Sequence, residues 1–467
     1  MMDRRGFLAG GTGLAVTAGA AVRVFAQPQD RAAMLAATDG LSTSNAPPPG
    51  GAVDLETAAG MAWLYGVMLI ENANARTNSL KLAAPNTLLH ARTLTTVKSQ
   101  SVTTPNNDTV YSRAWLDLSA GPVTLDMPRS GDRYISYAFM DMYGNNFAIR
   151  GTREDRGEDK RIVITSLNTA SDSPPAGVAV IQAPTPWVWL LIRTLVDNDA
   201  DLAAVHALQD AMKLAGPARP VPAPEAARDA PWDAYFTSVQ RLIVQNPPPT
   251  ADASFFQQIS PLGLNPAGGF RAEKFTDGDA ATLAEAAKNA RAAATDARGN
   301  ATIRNGWSYP QKNLGNFGTD YLFRARTAVS GLAALPPAEA MYMRPILSGQ
   351  DALDSGRPWV LKFAPGQLPP VNAFWSLTSY EKTPAGQFFF FDNPISRFAI
   401  GDRTPGLKHG ADGSLEIYIS RTNPGAAKAA NWLPAPPQGP LSLVFRAYLP
   451  KPDLLEGRYS LPAITAG

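Results

Sequence analysis

From residue 88 to 195 the chain is written in short β-branched and aromatic runs, and the same texture returns after residue 336. "VYSRAWLDL", "PVTLDMP", "RYISYAFMD", "RIVITS", "VAVIQAP" and "WVWLLIRT" are separated by turn sequences such as "RSGDR", "YGNN" and "SDSPPAG". "PWVLKFAP", "NAFWSLTSYE", "GQFFFFD", "SLEIYISR" and "LSLVFRAYLP" follow later. Strand signals recurring every ten to fifteen residues between turns predict antiparallel sandwiches or barrels. In "SLEIYIS", Leu415, Ile417 and Ile419 alternate with Glu416, Tyr418 and Ser420 behind an Asp-Gly turn, which is the period of a half-buried strand. The 38 glycines and 41 prolines supply the turns that so many strands require.

Single cores stop growing near about 250–300 residues, so 467 residues allow two domains and a further segment. Asp54 can cap a helix over 55–74, whose "MAWLYGVMLI" is apolar nearly all round and predicts burial on most sides. Further helices are expected over 200–214, 232–244, 279–297 and 321–335. The expected organisation is a signal peptide over 1–26, a flexible tail over 27–52 and an N-terminal β domain with a leading helix over 53–196. A helical segment over 197–335 and a jelly-roll-like sandwich over 336–467 complete it. The fold class is mostly β with helices (α+β): two antiparallel sandwich or barrel domains with a helical segment between them. No internal repeat at a fixed short period is visible.

The N-terminus "DRRGFLAGGTGLAVTAGAAVRVFAQ" pairs Arg4 with Arg5, continues with a mildly apolar Gly/Ala-rich run and ends on small residues before Gln27. This reads as a twin-arginine export signal and places the mature protein in the periplasm or beyond it. The run is too short and glycine-rich for an anchor, and no later stretch reaches roughly 18 apolar residues, so no stable membrane insertion is expected. There is no cysteine, which excludes disulfides, thiolate metal sites and cysteine nucleophiles. With no disulfides and with aromatic strands such as "FFFF" over 388–391, a homo-oligomer is expected to add stability. A net charge of +2, with no lysine or arginine cluster, gives no reason to expect nucleic acid.

Familiar catalytic signatures are missing: there is no Gly-x-Ser-x-Gly elbow, P-loop, HExxH or EF-hand loop. His90, His206 and His409 lie far apart and read as surface or satisfied residues. No cofactor is required by the sequence, although Asp108, Asp141 and Asn145 could offer oxygen ligands to Ca²⁺. What remains is a set of polar and aromatic residues where turns enter strands. The candidate catalytic residues are Asp108, Tyr111, Asp141 and Arg324, and the candidate substrate-binding residues are Asn107, Tyr143, Trp375, Asn393 and Arg397. Aromatic platforms mixed with Asn, Asp and Arg suit a polar organic or glycan ligand, whereas the plain alternative is turn capping and half-buried packing.

Several of these stretches resemble a known pair of bacterial domains. "TPNNDTVYSRAWLDLS", "YLFRARTAVSGLAAL", "FWSLTSYE", "NPISRFAIGDRTPGLKHGADGSLEIYIS" and "NWLPAPPQGPLSLVFRAYLPKP" are similar to the domains of unknown function numbered 1254, N-terminal, and 1214, C-terminal. The resemblance spans about 55 to 463 and implies two mostly-β domains with helices between them, in exported or periplasmic proteins. It implies no catalytic role for any residue.

Two classes of function stay open on the residues. The first is a hydrolase or lyase that uses no cysteine or nucleotide and acts on a carbohydrate-like or carboxylate substrate. Asp108 and Asp141 would be its acid and base, or Tyr111, Tyr143, Arg324 and Asn107 would abstract a proton beside a carboxylate. The alternative is a non-catalytic envelope protein that binds glycans or proteins through its aromatic faces.

Overall fold

The structure, a computed structural model, describes residues 51–98, 103–167, 178–296, 301–346, 353–384 and 386–467. The export signal and nearly all of the 27–52 tail lie outside the described residues. The fold is α+β, 28% helix and 28% strand, with several antiparallel sheets, none closed into a barrel among the described residues.

In the first half, strands β1 (Leu89–His90), β2 (Thr109–Asp117), β3 (Val123–Met127), β4 (Ile135–Met140) and β5 (Asn146–Gly151) are followed by β6 (Lys160–Ser166), β7 (Ala179–Ala183), β8 (Trp187–Leu195) and β9 (Lys213–Ala215). They form one sheet in the order β1-β2-β8-β4-β5 and another in the order β7-β6-β3-β9. Leu116, Ile135, Phe139, Ile162, Ile164 and Ile192 fill the space between the two sheets, each contributing about 1.5–3 kcal/mol on burial. Period-2 alternation along β2, β4 and β8 sends the other set of side chains to the opposite face of the first sheet.

The second half contains β10 (Thr302–Arg304), β11 (Trp307–Tyr309), β12 (Ala340–Pro345), β13 (Trp359–Phe363), β14 (Val371–Lys382) and β15 (Phe388–Phe389). β16 (Ala399–Gly401), β17 (Leu415–Ser420), β18 (Trp432–Pro434), β19 (Leu441–Pro450) and β20 (Ile464–Ala466) complete it. One sheet runs β10-β11-β12-β19-β14-β15, with β16 also on β14, and the other runs β18-β17-β13-β20. The core of this sandwich holds Trp359, Leu361, Trp375, Leu377, Ile417 and Phe445. A smaller apolar cluster joins the two sandwiches: Tyr134, Ala138 and Ile149 of the first sheet pack against Ala340, Phe374 and Tyr448 of the larger second one.

Four helices build a third layer: α1 (Leu55–Leu80), α2 (Trp232–Gln245), α3 (Asp277–Thr295) and α4 (Tyr321–Ser330). Asp54 starts α1 by accepting the Thr57 N–H at 2.7 Å. As expected of so apolar a run, α1 is buried continuously from Ala58 to Ile70, packed against residues of α2, α3 and α4. It extends six residues beyond the expected end at 74. The segment between the sandwiches is not purely helical. The helix expected over 200–214 stops at Ala211, because Lys213–Ala215 pairs with β3 instead. Likewise β10 and β11 join the second sandwich as a hairpin. Of the four phenylalanines at 388–391, only Phe388 and Phe389 lie in a strand; Phe390 stacks on Tyr380 and Phe398 beyond it.

Candidate functional site

The register of the first sheet sets Tyr111 of β2 opposite Arg193 of β8, and Arg193 opposite Ser136 of β4. In the second sandwich Tyr342 of β12 lies opposite Arg446 of β19, and Arg446 opposite Ser376 of β14. Residues paired in this way project from one face of a sheet. The opposite faces serve the two cores, so both rows meet at the junction of the sandwiches.

Arg193 is only 5% exposed. Its guanidinium lies 5.4 Å from the Tyr111 ring and donates from Nη2 to the Ala333 carbonyl at 3.4 Å. Nε and Nη1 are buried and have no hydrogen-bond partner among the described residues. Asn106, at the end of the loop before β2, donates to the hydroxyls of Tyr448 at 2.9 Å and Tyr111 at 3.3 Å, crossing the junction. Tyr111 and Tyr342 keep partial exposure. Burial pushes the Tyr342 phenol up, against the opposing influence of Arg193, so it holds its proton at neutral pH. An arginine with free donors beside partly exposed phenols can take a carboxylate and move protons next to it.

Polar struts surround these residues and tie the two sandwiches together. Asp108 accepts from Ser376 Oγ at 2.7 Å and pairs with Arg403 at 3.4 Å, both from the second sandwich. Glu339 accepts from Tyr134 at 2.8 Å and pairs with Arg153 at 2.9 Å, both from the first. Burial raises the Glu339 carboxyl above the ordinary range despite those two partners. Arg446 spends its two terminal nitrogens on Thr378 at 2.6 Å, Tyr380 at 2.7 Å and the carbonyls of Thr104 and Pro105. It thereby ties the loop that enters β2 to the second sheet.

The sequence candidates divide into separate groups. Asp108 and Tyr111 stand at the junction, and Asn107 is half-buried beside them. Asp141, Tyr143 and Arg324 belong to a second cluster beneath α1 and α4. There Arg324 lies over the rings of Tyr65, Tyr321 and Tyr143 at 4.5, 5.0 and 5.4 Å. Asp252 accepts from the hydroxyls of Tyr65 at 2.8 Å and Tyr321 at 2.6 Å. Tyr143 donates to the Asn246 carbonyl at 2.8 Å. Asp141 accepts the backbone N–H groups of Tyr143 and Asn145, each at 2.9 Å. It therefore shapes a turn and shares no partner with Asp108, so the two do not form an acid–base pair. Asp108, Asp141 and Asn145 likewise do not converge on a calcium position, and no group of three or more His, Asp or Glu suited to a metal occurs among the described residues.

Three other candidates make contacts within the fold. Trp375 is core, stacked on Phe445 at 5.4 Å. Asn393 caps its own turn by accepting the Arg397 N–H at 3.0 Å. Arg397 donates to the carbonyls of Ala430 and Trp432 at 3.0 and 2.8 Å, so it braces a loop. Arg193, Arg446, Tyr342 and Tyr448 were missed. The signal was a lone arginine inside an apolar strand, in "WVWLLIRT" and "LSLVFRAYLP"; such a charge must find partners on one face.

Burial pushes Asp141 up to about 6, outweighing the donors that favour its ionised form. The folded chain therefore keeps a proton that the unfolded chain releases near pH 4. Stability from this group is highest below about pH 4 and falls as pH rises to about 6, by roughly 2–3 kcal/mol at 1.4 kcal/mol per unit. Asp141→Asn removes that slope. The melting temperature of the variant relative to the native chain is expected to climb between pH 4 and 6, and a constant difference would contradict the assignment.

The fold and junction define a two-sandwich α+β protein whose distinctive polar residues are shared by both sandwiches. Residues 85–216 match the family described as protein of unknown function (DUF1254), and residues 339–452 match protein of unknown function (DUF1214). The chain thus carries these two domains as a pair. A search of curated proteins found no match. Among solved structures it is similar to the VPA0106 protein from Vibrio parahaemolyticus, with TM-score 0.69 and 22% identity over 89% of this chain and 100% of that one. An uncharacterized protein from Burkholderia cenocepacia covers 94% of this chain with 95% of its own, at 13% identity and TM-score 0.42. No helix among the described residues is long and apolar enough to cross a membrane.

Proposed function

We propose that the chain is an exported, periplasmic protein that acts on a carboxylate-bearing, carbohydrate-like substrate at the junction of its sandwiches. A lyase fits better than a hydrolase working through two carboxylates, because Asp108 and Asp141 sit in unconnected networks. The observation that carries the reading is Arg193: buried, beside Tyr111, with two nitrogens lacking an acceptor among the described residues. Glu339 feels the charge of Arg193 but gives its oxygens to Tyr134 and Arg153; a buried cation with no hydrogen-bonded carboxylate is costly, and a ligand carboxylate would offset that cost.

In this reading Arg193 neutralises the substrate carboxylate and so acidifies the adjacent C–H. Tyr111 is the candidate acceptor of that proton; the bond to the leaving oxygen breaks, and Tyr342 returns a proton to that oxygen. Export rests on the paired Arg4 and Arg5 and the small-residue site before Gln27.

The test is a screen of uronate-containing oligosaccharides for unsaturated products. Arg193→Gln and Tyr111→Phe should each lower kcat/KM by about 100-fold or more while the protein stays folded. Full activity in both variants would remove the site from consideration. Uronate binding without turnover would instead favour the non-catalytic alternative.

A further inference from the structure

Eight strands of each sandwich repeat one another in order. The order β2-β8-β4-β5 in the first sheet corresponds to β12-β19-β14-β16, and β7-β6-β3-β9 corresponds to β18-β17-β13-β20. Even the exceptional pairing matches: β6 with β7 and β17 with β18 are parallel, while the other pairs are antiparallel. The correspondence reaches single residues. Tyr111–Arg193–Ser136–Gly151 lie side by side across the first sheet, and Tyr342–Arg446–Ser376–Gly401 across the second. A Cβ on Gly151 would come within 2.3 Å of the Ile135 carbonyl oxygen, and one on Gly401 within 2.1 Å of the Trp375 carbonyl oxygen. The next residue accepts the same N–H in both halves: Thr152 that of Ile135 at 2.9 Å, Asp402 that of Trp375 at 3.2 Å.

Contacts across the junction are reciprocal in the same numbering. Asp108 lies three residues before Tyr111 and pairs with Arg403, two after Gly401; Glu339 lies three before Tyr342 and pairs with Arg153, two after Gly151. When residue i of one unit meets j of the other, and j meets i, a twofold axis relates them. The backbone carbonyls of the two acids also accept equivalent amides, from Val196 and Leu449, each at 3.0 Å.

The symmetry breaks at the two arginines. Nε lacks a partner among the described residues in both, but Arg446 fills both terminal nitrogens with four acceptors, whereas Arg193 has one contact, at 3.4 Å, and leaves Nη1 without a partner. Thr378 and Tyr380, two of the Arg446 acceptors, correspond to Ala138 and Met140 in the first sheet, whose side chains carry no oxygen to accept. We infer that the sandwiches are twofold-related versions of one unit, and that recognition of a single carboxylate stays with Arg193 while Arg446 has become a strut. The ligand half of this inference rests on the carboxylate reading above; the division of labour between the arginines does not.

Melting temperatures of the native chain, Arg193→Gln and Arg446→Gln, each with and without D-galacturonate and with D-galactose as the neutral control, separate the two. Without ligand, Arg446→Gln should lose several degrees and Arg193→Gln should lose none. Arg446→Lys, which keeps the charge but not the fork, gives the same comparison where the glutamine variant does not fold. Galacturonate should raise the melting temperature of the native chain and of the Arg446 variant but not of Arg193→Gln. Equal losses in both variants, or a galacturonate shift that survives Arg193→Gln, would overturn the inference. If galacturonate does not shift the native chain, the carboxylate reading falls, and the stability contrast alone decides the division of labour.

Discussion

Replacing Trp375 by alanine is expected to lower the unfolding free energy by about 3–5 kcal/mol, the cost of removing a large aromatic side chain from a close-packed core. Trp375 is 2% exposed, stacks on Phe445 at 5.4 Å and leans on Phe363 at 5.5 Å. These rings bridge β13, β14 and β19, so the cavity opens between the two sheets of the second sandwich. Urea unfolding measures the loss directly. If Trp375 were a ligand platform, its alanine variant would keep its stability and lose only affinity.

Asp252→Ala is expected to have a comparable effect at a site far from either β core. Asp252 is 2% exposed and accepts two phenol hydrogen bonds, from Tyr65 and Tyr321. Bonds to a charged acceptor contribute about 1.5–3 kcal/mol each, so losing both, with two hydroxyls left buried, costs on the order of 3–5 kcal/mol. Burial, the largest influence, holds both phenols above their ordinary range, so neither ionises to compensate. Asp252→Asn keeps an acceptor and should recover part of the loss. Calorimetry on the two variants tests this ordering, and equal stability of Asp252→Ala and the native chain would contradict it.

The sequence made the strands legible in two ways: half-buried ones such as β3 and β17 carry their period openly, as in "SLEIYIS", while β4, β8 and β19, buried on both faces, read as near-continuous apolar runs. Helix α1 was legible for the opposite reason, being apolar on every side. The helix expected over 200–214 failed at its end because a strand partner, β3, outbid local propensity at Lys213–Ala215. Among site residues, Asp108 and Tyr111 stood out through their turn-to-strand position, but nothing local tells that Asp141 serves a turn beneath α1. The internal duplication escaped because its copies share no fixed period. It survives only as short pieces: "DTVYSR" with "EAMYMR", "YIS" with "FWS", "GTR" with "GDR", and "RTLV" with "RAYL". Loops and helices of unequal length separate those pieces, so they align only once the strands are paired.

Placing two matched sandwiches on one thread changes what their junction can become. In a dimer of separate copies, every substitution arises twice, and a site on the axis must remain the same from both sides. It would also come apart on dilution. Here the second partner is always present at the effective concentration set by the tether, and each half is free to drift. Arg193 could keep its open donors while Arg446 gained Thr378 and Tyr380 as permanent company. Covalent linkage thus releases the junction from its own symmetry, which allows an off-centre site to form on a twofold scaffold.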